Sequence, residues 1–250
     1  MKSGNFDGIA NKFDQNIYGT TKGRLRHLLL LHYLNDEIEA DKPLDVLDAG
    51  AGTGMMSLAF AEKGHKLHLL DVSAEALEIA KSRLSAFAAV NFELADVDAF
   101  KSNAFSFDMV LCHAVLEWLD EPLRALDILI SKLKPNGVLS LSFFNQDAML
   151  FNNAIYGNFD YIAKGMKVRN TVRLNPHNPQ KPADILAFLE QRTDIKIELS
   201  AGIRCFHDYM RDISQQSSGF EQILALEKQY GKQAPFKFIG KYFYIKARKA

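Results

Sequence analysis

The sequence predicts one doubly wound α/β domain whose sheet is mostly parallel and includes an antiparallel last strand. Three observations support this fold class. From Leu44 onward, short apolar strands alternate with helical stretches, which is typical of right-handed crossovers between parallel strands. A glycine-rich turn follows the first of these strands directly. The last apolar stretch comes after a long connection, so we expect an antiparallel strand at the edge of the sheet.

The individual elements follow from periodicity and from helix signals. Residues 1–41 are polar at first and then carry apolar residues at helical spacing from Leu25 to Leu34, which predicts a helical cap. Helices are also expected over 56–63, from 74 after an N-cap at Ser73, over 122–133 and over 220–230. Asn, Gly and Pro interrupt the pattern at 145–182, which predicts an insertion over the working edge of the sheet. The expected strands are 44–48, 66–70, 90–94, 107–112, 138–144, 195–199 and 238–246.

The composition excludes several classes of protein. Apolar residues make up 48% of the chain and charged residues 24%, as in a globular domain and unlike a disordered one. The 30 basic and 30 acidic side chains cancel, so a polyanionic partner must meet a local basic patch. Cys112 and Cys205 predict neither a disulfide framework nor a zinc site. Because we find no signal peptide and no membrane-spanning run, a cytoplasmic protein is expected.

The most informative segment is the turn Asp48-Ala49-Gly50-Ala51-Gly52-Thr53-Gly54, at the end of the first strand. In an open α/β sheet ligands bind beyond the carboxyl ends of the strands, and glycines there let a ligand approach backbone amides at a helix N-terminus. Asp71 ends the second strand, where a carboxylate can accept hydrogen bonds from both hydroxyls of a ribose. These residues predict a nucleoside site, although a structural turn with a capping Asp gives the same pattern.

Two details separate this turn from one that binds a dinucleotide. The dinucleotide fingerprint needs a small third residue, and that position falls on Met55 or Ser57, depending on which glycine begins the count. Asp48 stands just before the glycines, where a carboxylate repels a pyrophosphate but suits the ammonium of an amino acid. The residues therefore favour a nucleoside that carries an amino-acid group.

Five ordered segments resemble the motifs of class I S-adenosylmethionine methyltransferases, which implies S-adenosylmethionine as the cofactor. The resemblance places the ribose on Asp71 and the adenine edge on the Val97 amide with Asp96 or Asp98. It implies one domain over 1–250, with a helical cap (1–41), a cofactor-binding half (42–144), an insertion over the active site (145–182) and C-terminal strands and helix (183–250). The segments are Leu47-Asp48-Ala49-Gly50-Ala51-Gly52-Thr53-Gly54, Leu69-Leu70-Asp71-Val72-Ser73, Ala95-Asp96-Val97-Asp98, Phe107-Asp108-Met109-Val110-Leu111-Cys112-His113 and Leu133-Lys134-Pro135-Asn136-Gly137-Val138-Leu139.

The flanks are similar to one bacterial family in particular, which esterifies the carboxylate of 5-carboxymethoxyuridine at the tRNA wobble position. The segments that carry this likeness include 5–10, 16–26, 112–118, 157–161 and 202–209. It implies that Arg26 and His113 touch the cofactor, although a surface arginine and a core histidine remain alternatives. The fourth motif lacks the Asn/Asp-Pro-Pro-Tyr tetrapeptide of many amino-group methyltransferases. The full set of expected cofactor-binding residues is Arg26, Asp48, Gly50, Ala51, Gly52, Asp71, Val72, Asp96, Val97, Asp98 and His113.

The sequence is less specific about the residues that bind the methyl acceptor. Two stretches without acidic residues, 164–181 and 232–249, are basic and are candidates for contact with an RNA backbone, or are solvated surface. Tyr18, Tyr161 and Tyr209 are candidates for stacking on a base of the anticodon loop, or for core packing. The acceptor carboxylate is ionised at neutral pH, so we expect no general base and no metal. The expected substrate-binding residues are Tyr18, Arg169, Arg173 and Arg204.

Three other functions remain open at this point. A small-molecule O- or C-methyltransferase shares the same cofactor motifs and needs neither basic stretch. An NAD-dependent oxidoreductase shares the glycine turn, but Asp48 and Met55 speak against it. A non-catalytic cofactor-binding module also fits, because the expected chemistry demands no diagnostic base.

Overall fold

A computed structural model of the chain, which describes residues 19–102, 105–166 and 176–250, confirms the doubly wound α/β fold. One seven-stranded sheet has the strand order β3-β2-β1-β4-β5-β7-β6. The first five strands of this order are parallel, and β7 pairs antiparallel with both β5 and β6. The strands are β1 Asp45–Ala49, β2 Lys66–Asp71, β3 Val90–Leu94, β4 Phe107–His113, β5 Leu133–Phe144, β6 Ile195–Ile203 and β7 Tyr242–Lys249.

Helices cover both faces of this sheet, and side chains cap the N-termini of α1, α4 and α6. Ser73 accepts a hydrogen bond from the Ala76 amide, as its position in the sequence predicts for an N-cap. Asn145 caps the helix that opens the insertion in the same way. The helices are α1 Thr21–Tyr33, α2 Asn35–Ile38, α3 Met55–Ala61, α4 Ala74–Arg83, α5 Pro122–Ser131, α6 Gln146–Ile155, α7 Phe159–Ala163, α8 Pro182–Glu190, α9 Gln215–Ser218, α10 Phe220–Tyr230 and α11 Phe236–Ile239, and 3₁₀ turns lie at Ala99–Ser102, Leu116–Trp118 and His207–Tyr209.

The antiparallel last strand is confirmed, but the expectation that it forms the edge of the sheet is wrong. β7 lies between β5 and β6, and β6 forms the edge. The side chains of Phe243, Tyr244 and Ile245 are fully buried on both faces, as a central strand requires. The strand also begins later than the expected 238, because 236–239 form the short helix α11.

Two hydrophobic clusters fill the two faces of the sheet. One includes Leu25, Leu29 and Leu34 of the N-terminal region, all with no exposed surface, so α1 packs into the core. The other is built from β-strand residues with α5 and α8. Helix α8 did not emerge from the sequence patterns. In the described ranges no helix has the length and the apolar composition to cross a membrane.

The functional edge lies where the strand order reverses. β1 pairs with β2 on one side and with β4 on the other, so the chain leaves β1 and β4 on opposite sides of a crevice at their carboxyl ends. The insertion begins at this same edge, because α6 follows the carboxyl end of β5. A bridge between Asn145 and Gln180 ties the two ends of the insertion together.

Candidate active site

The glycine turn after β1 is held open by positive backbone angles. Gly50, Gly52 and Gly54 have φ values of 77°, 54° and 73°, in the left-handed region that favours glycine. The amides of Gly50 and Ala51 donate to the Leu70 carbonyl at 2.7 and 3.0 Å, which fixes the turn against β2. A Cβ atom on Gly50 would lie 2.3 Å from Cγ2 of Val115. The turn therefore requires glycine at 50 for both its angle and its space.

Asp71 is locked in place by the same turn. Its carboxylate accepts from the Gly52 amide at 2.7 Å and from the Ser73 amide at 2.8 Å, and the residue is buried. These bonds orient the carboxylate at the carboxyl end of β2. The sequence pattern predicted the position of this carboxylate, and the structure adds the backbone groups that hold it.

A cavity lies at the carboxyl ends of β1, β2 and β4. Five of the expected cofactor-binding residues line it, namely Gly50, Asp71, Val72, Asp96 and Val97. The remaining lining residues are mainly apolar, and they are Leu70, Ala95, Ala114, Val115, Trp118 and Leu119. Val115 and Trp118 belong to the segment around the 3₁₀ turn after β4, which the sequence patterns did not connect with this site.

The structure distinguishes Asp96 from Asp98, which the sequence left as alternatives. Asp96 lines the cavity, and its Oδ1 accepts from the Ala99 amide at 2.6 Å. Asp98 lies outside the lining residues, half exposed, with its Oδ1 3.4 Å from Arg124. We therefore retain Asp96, with Val97, as the candidate for the adenine edge.

A second, smaller cavity adjoins the first and shares Gly50 with it. Four more of the expected residues come together here, namely Arg26 of α1, Asp48 of β1, Ala51 of the turn and His113 of β4. Gly52 lines neither cavity and serves Asp71 through its amide. The complete lining is Arg26, His27, Leu30, Asp48, Gly50, Ala51, Met56 and His113.

Asp48 is a buried carboxylate at the base of the second cavity. Ser57 donates a hydrogen bond to its Oδ2 at 2.7 Å. Burial raises the pKa of Asp48 from 3.8 to about 6, the hydrogen bond from Ser57 opposes this shift, and the charge of Asp71 adds to it. A carboxylate whose ionised form is destabilised by burial favours a cationic ligand, because a nearby positive charge restores that form.

His113 is half-buried and neutral. Burial, with repulsion from Arg26 in second place, lowers the pKa of His113 from 6.5 to about 3. Its Nε2 lies 2.8 Å from Oγ of Ser140, while its buried Nδ1 has no hydrogen-bond partner within the described part of the chain.

Two arginines meet at the ring of Tyr242, at the start of β7. The guanidinium carbon of Arg26 lies 5.1 Å from the ring centroid, and that of Arg204 lies 5.8 Å from it. Lys241 is close by, with its Nζ 5.4 Å from the centroid of Phe144. Tyr242 and Lys241 were not singled out in the sequence, because only the pairing of β7 with β5 and β6 brings them to this edge.

Arg204 is held by a network of buried side chains. Its Nε donates to Asp208 Oδ1 at 2.9 Å and its Nη2 bonds Asp208 Oδ2. Nδ1 of His207 lies 2.9 Å from the same Asp208, and its Nε2 lies 3.0 Å from the Thr21 hydroxyl of α1. Burial acts to raise the pKa of Asp208, but the hydrogen bond with His207 and the charge of Arg204 prevail and hold it below its usual range.

The other expected substrate-binding residues are not located. Tyr18, Arg169 and Arg173 lie outside the described residues. Tyr209 is engaged in the fold, since its hydroxyl donates to the Ile239 carbonyl at 2.7 Å and its ring packs against Phe151. No group of three or more His, Cys, Asp or Glu side chains among the residues with described positions is arranged to hold a metal ion.

Three cations of the C-terminal basic stretch are engaged in the fold, which favours a structural role for these three. Lys246 pairs with the buried Glu37 at 3.0 Å. Arg248 binds Glu198 and the Asn136 carbonyl, and Lys249 binds two backbone carbonyls. These contacts join β7 to its neighbours.

Comparison with known proteins is consistent with this geometry. Residues 40–191 match the family described as "Methyltransferase domain". Over 255 aligned positions the chain is 40% identical to tRNA 5-carboxymethoxyuridine methyltransferase from Escherichia coli (strain K12), covering 100% of this chain and 97% of that protein. Malonyl-[acyl-carrier protein] O-methyltransferase from Halalkalibacterium halodurans is 30% identical over 51% of this chain and 48% of its own length. Magnesium protoporphyrin IX methyltransferase from Synechocystis PCC 6803, solved with bound S-adenosylhomocysteine, has the same fold, with a TM-score of 0.64 at 16% identity over 98% of this chain and 96% of that one.

Proposed function

This chain belongs to the methyltransferase family, and within it to the tRNA 5-carboxymethoxyuridine methyltransferases, and from that premise we propose its reaction. It transfers the methyl group of S-adenosylmethionine to the carboxylate of 5-carboxymethoxyuridine at the tRNA wobble position and forms the methyl ester. The observation that carries the proposal is the extent of the 40% identity, which covers the whole chain. The aligned region therefore spans the positions of Arg26 and of the Arg204 network, which lie outside the matched methyltransferase segment 40–191.

The two adjoining cavities fit S-adenosylmethionine as the methyl donor. The larger one offers the Asp71 carboxylate for the ribose and Asp96 with Val97 for the adenine edge. The smaller one offers Asp48 for the ammonium and Arg26 for the carboxylate of the methionine part. Gly50 lines both cavities, and a Cβ there would collide with Val115, so only glycine fits at the point where the two adjoin.

The proposed chemistry needs no general base, because a carboxylate is already the nucleophile. When bound, S-adenosylmethionine supplies an electrophilic methyl group next to a sulfonium. The residues of this chain then need only to hold the acceptor oxygen in line with that methyl group and to exclude water. Such positioning contributes up to roughly 7–11 kcal/mol to a displacement between two bound partners.

Arg204 is the candidate for recognition of the acceptor carboxylate. Its Nε and Nη2 are occupied by Asp208, which leaves Nη1 for a ligand. Asp208 also neutralises the charge of Arg204. This matters because the acceptor loses its negative charge on becoming an ester, and an uncompensated arginine would stabilise the ground state more than the transition state. We therefore assign Arg204 to substrate selection.

Two further points are the part of the tRNA that the protein binds and the compartment in which it acts. An exposed aromatic pair on the insertion, Tyr156 and Phe159, is 61% and 68% exposed and is suited to stacking on unpaired bases. Both residues lie in the segment that follows β5, Tyr156 directly after α6 and Phe159 at the start of α7. We infer that the anticodon loop is the part of tRNA that reaches this segment, and that the protein acts in the cytoplasm, where tRNA is modified.

The alternative of a small-molecule O- or C-methyltransferase has less support. The O-methyltransferase relative described above matches only about half of this chain, namely 51%. A dinucleotide oxidoreductase is disfavoured by Asp48, whose buried carboxylate lines the smaller cavity and would face a pyrophosphate. A module that binds the cofactor without catalysis is separated from an enzyme by the experiment below.

The proposed function is tested by nucleoside analysis of tRNA from cells that lack this protein. Mass spectrometry of the digested tRNA should show 5-carboxymethoxyuridine accumulated and its methyl ester missing. Re-expression of the wild-type chain should restore the ester, and re-expression of the Gly50→Ala variant at equal protein level should not. An unchanged ester content in the deletion strain would refute the proposal.

A further inference from the structure

Lys241 directly precedes β7, at the carboxyl end of the parallel strands, and the residue is half-buried. Its backbone is held on both sides, because its amide donates to the Arg204 carbonyl at 3.3 Å and its carbonyl accepts from the Asn145 amide at 3.1 Å. Among the residues that the structure describes, none forms a hydrogen bond or an ion pair with its Nζ, which lies 5.4 Å from the ring centroid of Phe144. The backbone is therefore fixed, while the ammonium has no bonded partner in this part of the chain.

Two other lysines of the C-terminal region are bonded to the fold, unlike Lys241. Nζ of Lys237 donates to the Ser200 hydroxyl at 2.9 Å, and Nζ of Lys249 donates to two backbone carbonyls. Lys237 matches Lys241 closely, since it is also half-buried and its Nζ lies 5.1 Å from the ring centroid of a phenylalanine. A cation withdrawn from water without a bonded partner destabilises the folded state. The position of Lys241 is therefore suited to an anionic ligand.

The charges around Lys241 are unbalanced. Burial lowers the pKa of Lys241, the charge of Asp208 opposes this shift, and the charges of Arg204 and Lys22 add to it. Asp208 is already engaged, because both of its oxygens bond Arg204 and its Oδ1 also lies 2.9 Å from Nδ1 of His207. One carboxylate thus faces three cations. An anionic ligand would offset the excess of positive charge.

Two aromatic rings connect Lys241 with the smaller cavity. Phe144, over which the ammonium lies, pairs with Tyr242 in the register of β5 and β7, and their ring centroids are 5.7 Å apart. The guanidinium carbon of Arg26 lies 5.1 Å from the Tyr242 centroid, and Arg26 lines the smaller cavity. In the proposed function this cavity holds the methionine part of the cofactor, next to the methyl group to be transferred. The ammonium is thus separated by two rings from the cavity beside which the acceptor must react.

We propose that Lys241 binds the carboxylate of the methyl acceptor and thereby determines the preference of the enzyme for an ionised acid. This inference deepens the proposed function and rests on it for the identity of the acceptor. The rings of Phe144 and Tyr242 keep water from one side of the ammonium, which strengthens its attraction for a carboxylate. Arg204, whose charge is neutralised by Asp208, orients the acceptor, and Lys241 supplies the net charge that attracts it.

The attraction ends with the reaction. One carboxylate oxygen forms a bond to the methyl carbon as the bond from that carbon to sulfur breaks, which leaves S-adenosylhomocysteine and a neutral ester. The charges of the sulfonium and of the carboxylate disappear together, and no proton moves. Lys241 therefore stabilises the bound substrate more than the transition state or the product. Its contribution belongs to KM, and the loss of the carboxylate charge favours release of the ester.

Steady-state kinetics with tRNA that carries 5-carboxymethoxyuridine test this division. Lys241→Met should raise KM for this tRNA roughly tenfold, the value of about one charge-assisted bond, with kcat unchanged or raised. Lys241→Arg should keep a low KM, and Lys237→Met, the matched control, should behave as the wild type. Affinity for S-adenosylhomocysteine and cooperative melting should be retained in every variant. Lys241→Met should melt no lower than the wild type, because it removes a cation without a bonded partner.

Direct binding separates the carboxylate from the RNA backbone. Two forms of one tRNA, with 5-carboxymethoxyuridine or unmodified uridine at the wobble position, are titrated in the presence of S-adenosylhomocysteine. The wild type should bind the modified form roughly tenfold more tightly, and Lys241→Met and Lys241→Gln should bind both forms with similar affinity. Equal weakening of both forms would assign Lys241 to a backbone phosphate and overturn the inference, as would variants that keep the preference.

Failure of this inference is distinguishable from failure of the proposed function. Wild-type protein that forms the methyl ester, together with Lys241 variants of unchanged KM and preference, would refute only the role of Lys241. Wild-type protein that forms no ester on this tRNA would refute the function on which the inference rests.

Discussion

A methyl group on Gly50 would lie 2.3 Å from Cγ2 of Val115, a separation that side-chain carbons do not tolerate. The two residues both line the larger cavity, one after β1 and the other after β4. Gly50→Ala should therefore displace one of these segments and lower the affinity for S-adenosylhomocysteine by at least about tenfold, or 1.4 kcal/mol. Isothermal calorimetry measures this effect directly.

Gly64→Ala is the matched control for backbone strain. Gly64 has φ of 80°, close to the 77° of Gly50, but a Cβ there meets nothing within 4 Å. Both substitutions should cost about 1–2 kcal/mol of unfolding free energy for the left-handed backbone, measured by urea denaturation. Only Gly50→Ala should lose cofactor affinity. Equal affinity in the two variants would show that the collision with Val115 is relieved elsewhere.

Asp48 predicts a pH dependence of cofactor binding. Because the pKa of Asp48 is raised to about 6 in the free protein, protonation below pH 6 removes the negative charge that attracts the ligand ammonium. Affinity for S-adenosylhomocysteine should be constant above pH 7 and about tenfold weaker at pH 5. Calorimetry over this range tests the dependence. Asp48→Asn should bind more weakly with the corresponding slope removed, and a wild-type affinity that is level from pH 5 to 7.5 would exclude the assigned role.

Glu117 predicts a loss of stability as the pH rises from about 4.5 to about 7. Its carboxylate is buried, Oε2 has no partner in the described part of the chain, and burial raises its pKa from 4.5 to about 7, against the opposing backbone hydrogen bonds and the charge of Arg26. The folded state therefore binds the proton more tightly than the unfolded state. The stabilisation is complete below pH 4.5 and is lost as pH rises through 7, by about 3 kcal/mol in total.

Thermal melts between pH 5 and pH 8.5 check this sign. The wild-type melting temperature should fall over that range, and Glu117→Gln, which has no proton to release, should fall less. At pH 8.5 the variant should be at least as stable as the wild type. A wild type whose stability instead rises between pH 5 and pH 8.5 relative to the variant would contradict the raised pKa of Glu117.

Substitutions in the pair of Arg204 and Asp208 distinguish a role of Arg204 in substrate recognition from a role in folding. Arg204→Gln should raise KM for tRNA about tenfold with little change in kcat, since one charge-assisted hydrogen bond to the acceptor is lost. It also leaves Asp208 without its bidentate partner and should destabilise the fold. The double variant Arg204→Gln/Asp208→Asn should regain stability but keep the high KM. Recovery of KM together with stability would show that Arg204 has only a structural role.

The glycine turn and the position of the Asp71 carboxylate were predictable, because both depend on local sequence. The glycines require φ values that few other residues adopt, and the bonds that Asp71 accepts come from the adjacent turn and from Ser73. Ser73 was identified as an N-cap for the same local reason. The parallel arrangement of the first five strands was predictable from the alternation of strands and helices, whereas their order was not.

The other parts of the site were harder to predict from the sequence, because they depend on strand register and on long-range contacts. Ser140 and Tyr244 become neighbours through the antiparallel pairing of β5 with β7, which nothing in either strand specifies. Trp118 reaches the larger cavity through a 3₁₀ turn, and the spacing of apolar residues in the sequence does not predict this turn. In the sequence the C-terminal cations form a candidate surface for RNA, and partners such as Glu37 are evident only in the folded structure. Only the folded contacts show which charges are already neutralised.

The most direct test of the account uses the purified protein with methyl-labelled S-adenosylmethionine and tRNA that carries 5-carboxymethoxyuridine without the ester. Label should enter the wobble nucleoside, and mild alkaline hydrolysis should release it completely as methanol, since an ester is cleaved by base and methyl groups on carbon or ring nitrogen are not. Label that remains on the nucleoside after base treatment, or no transfer to this tRNA by protein that binds S-adenosylhomocysteine, would contradict methylation of the carboxylate.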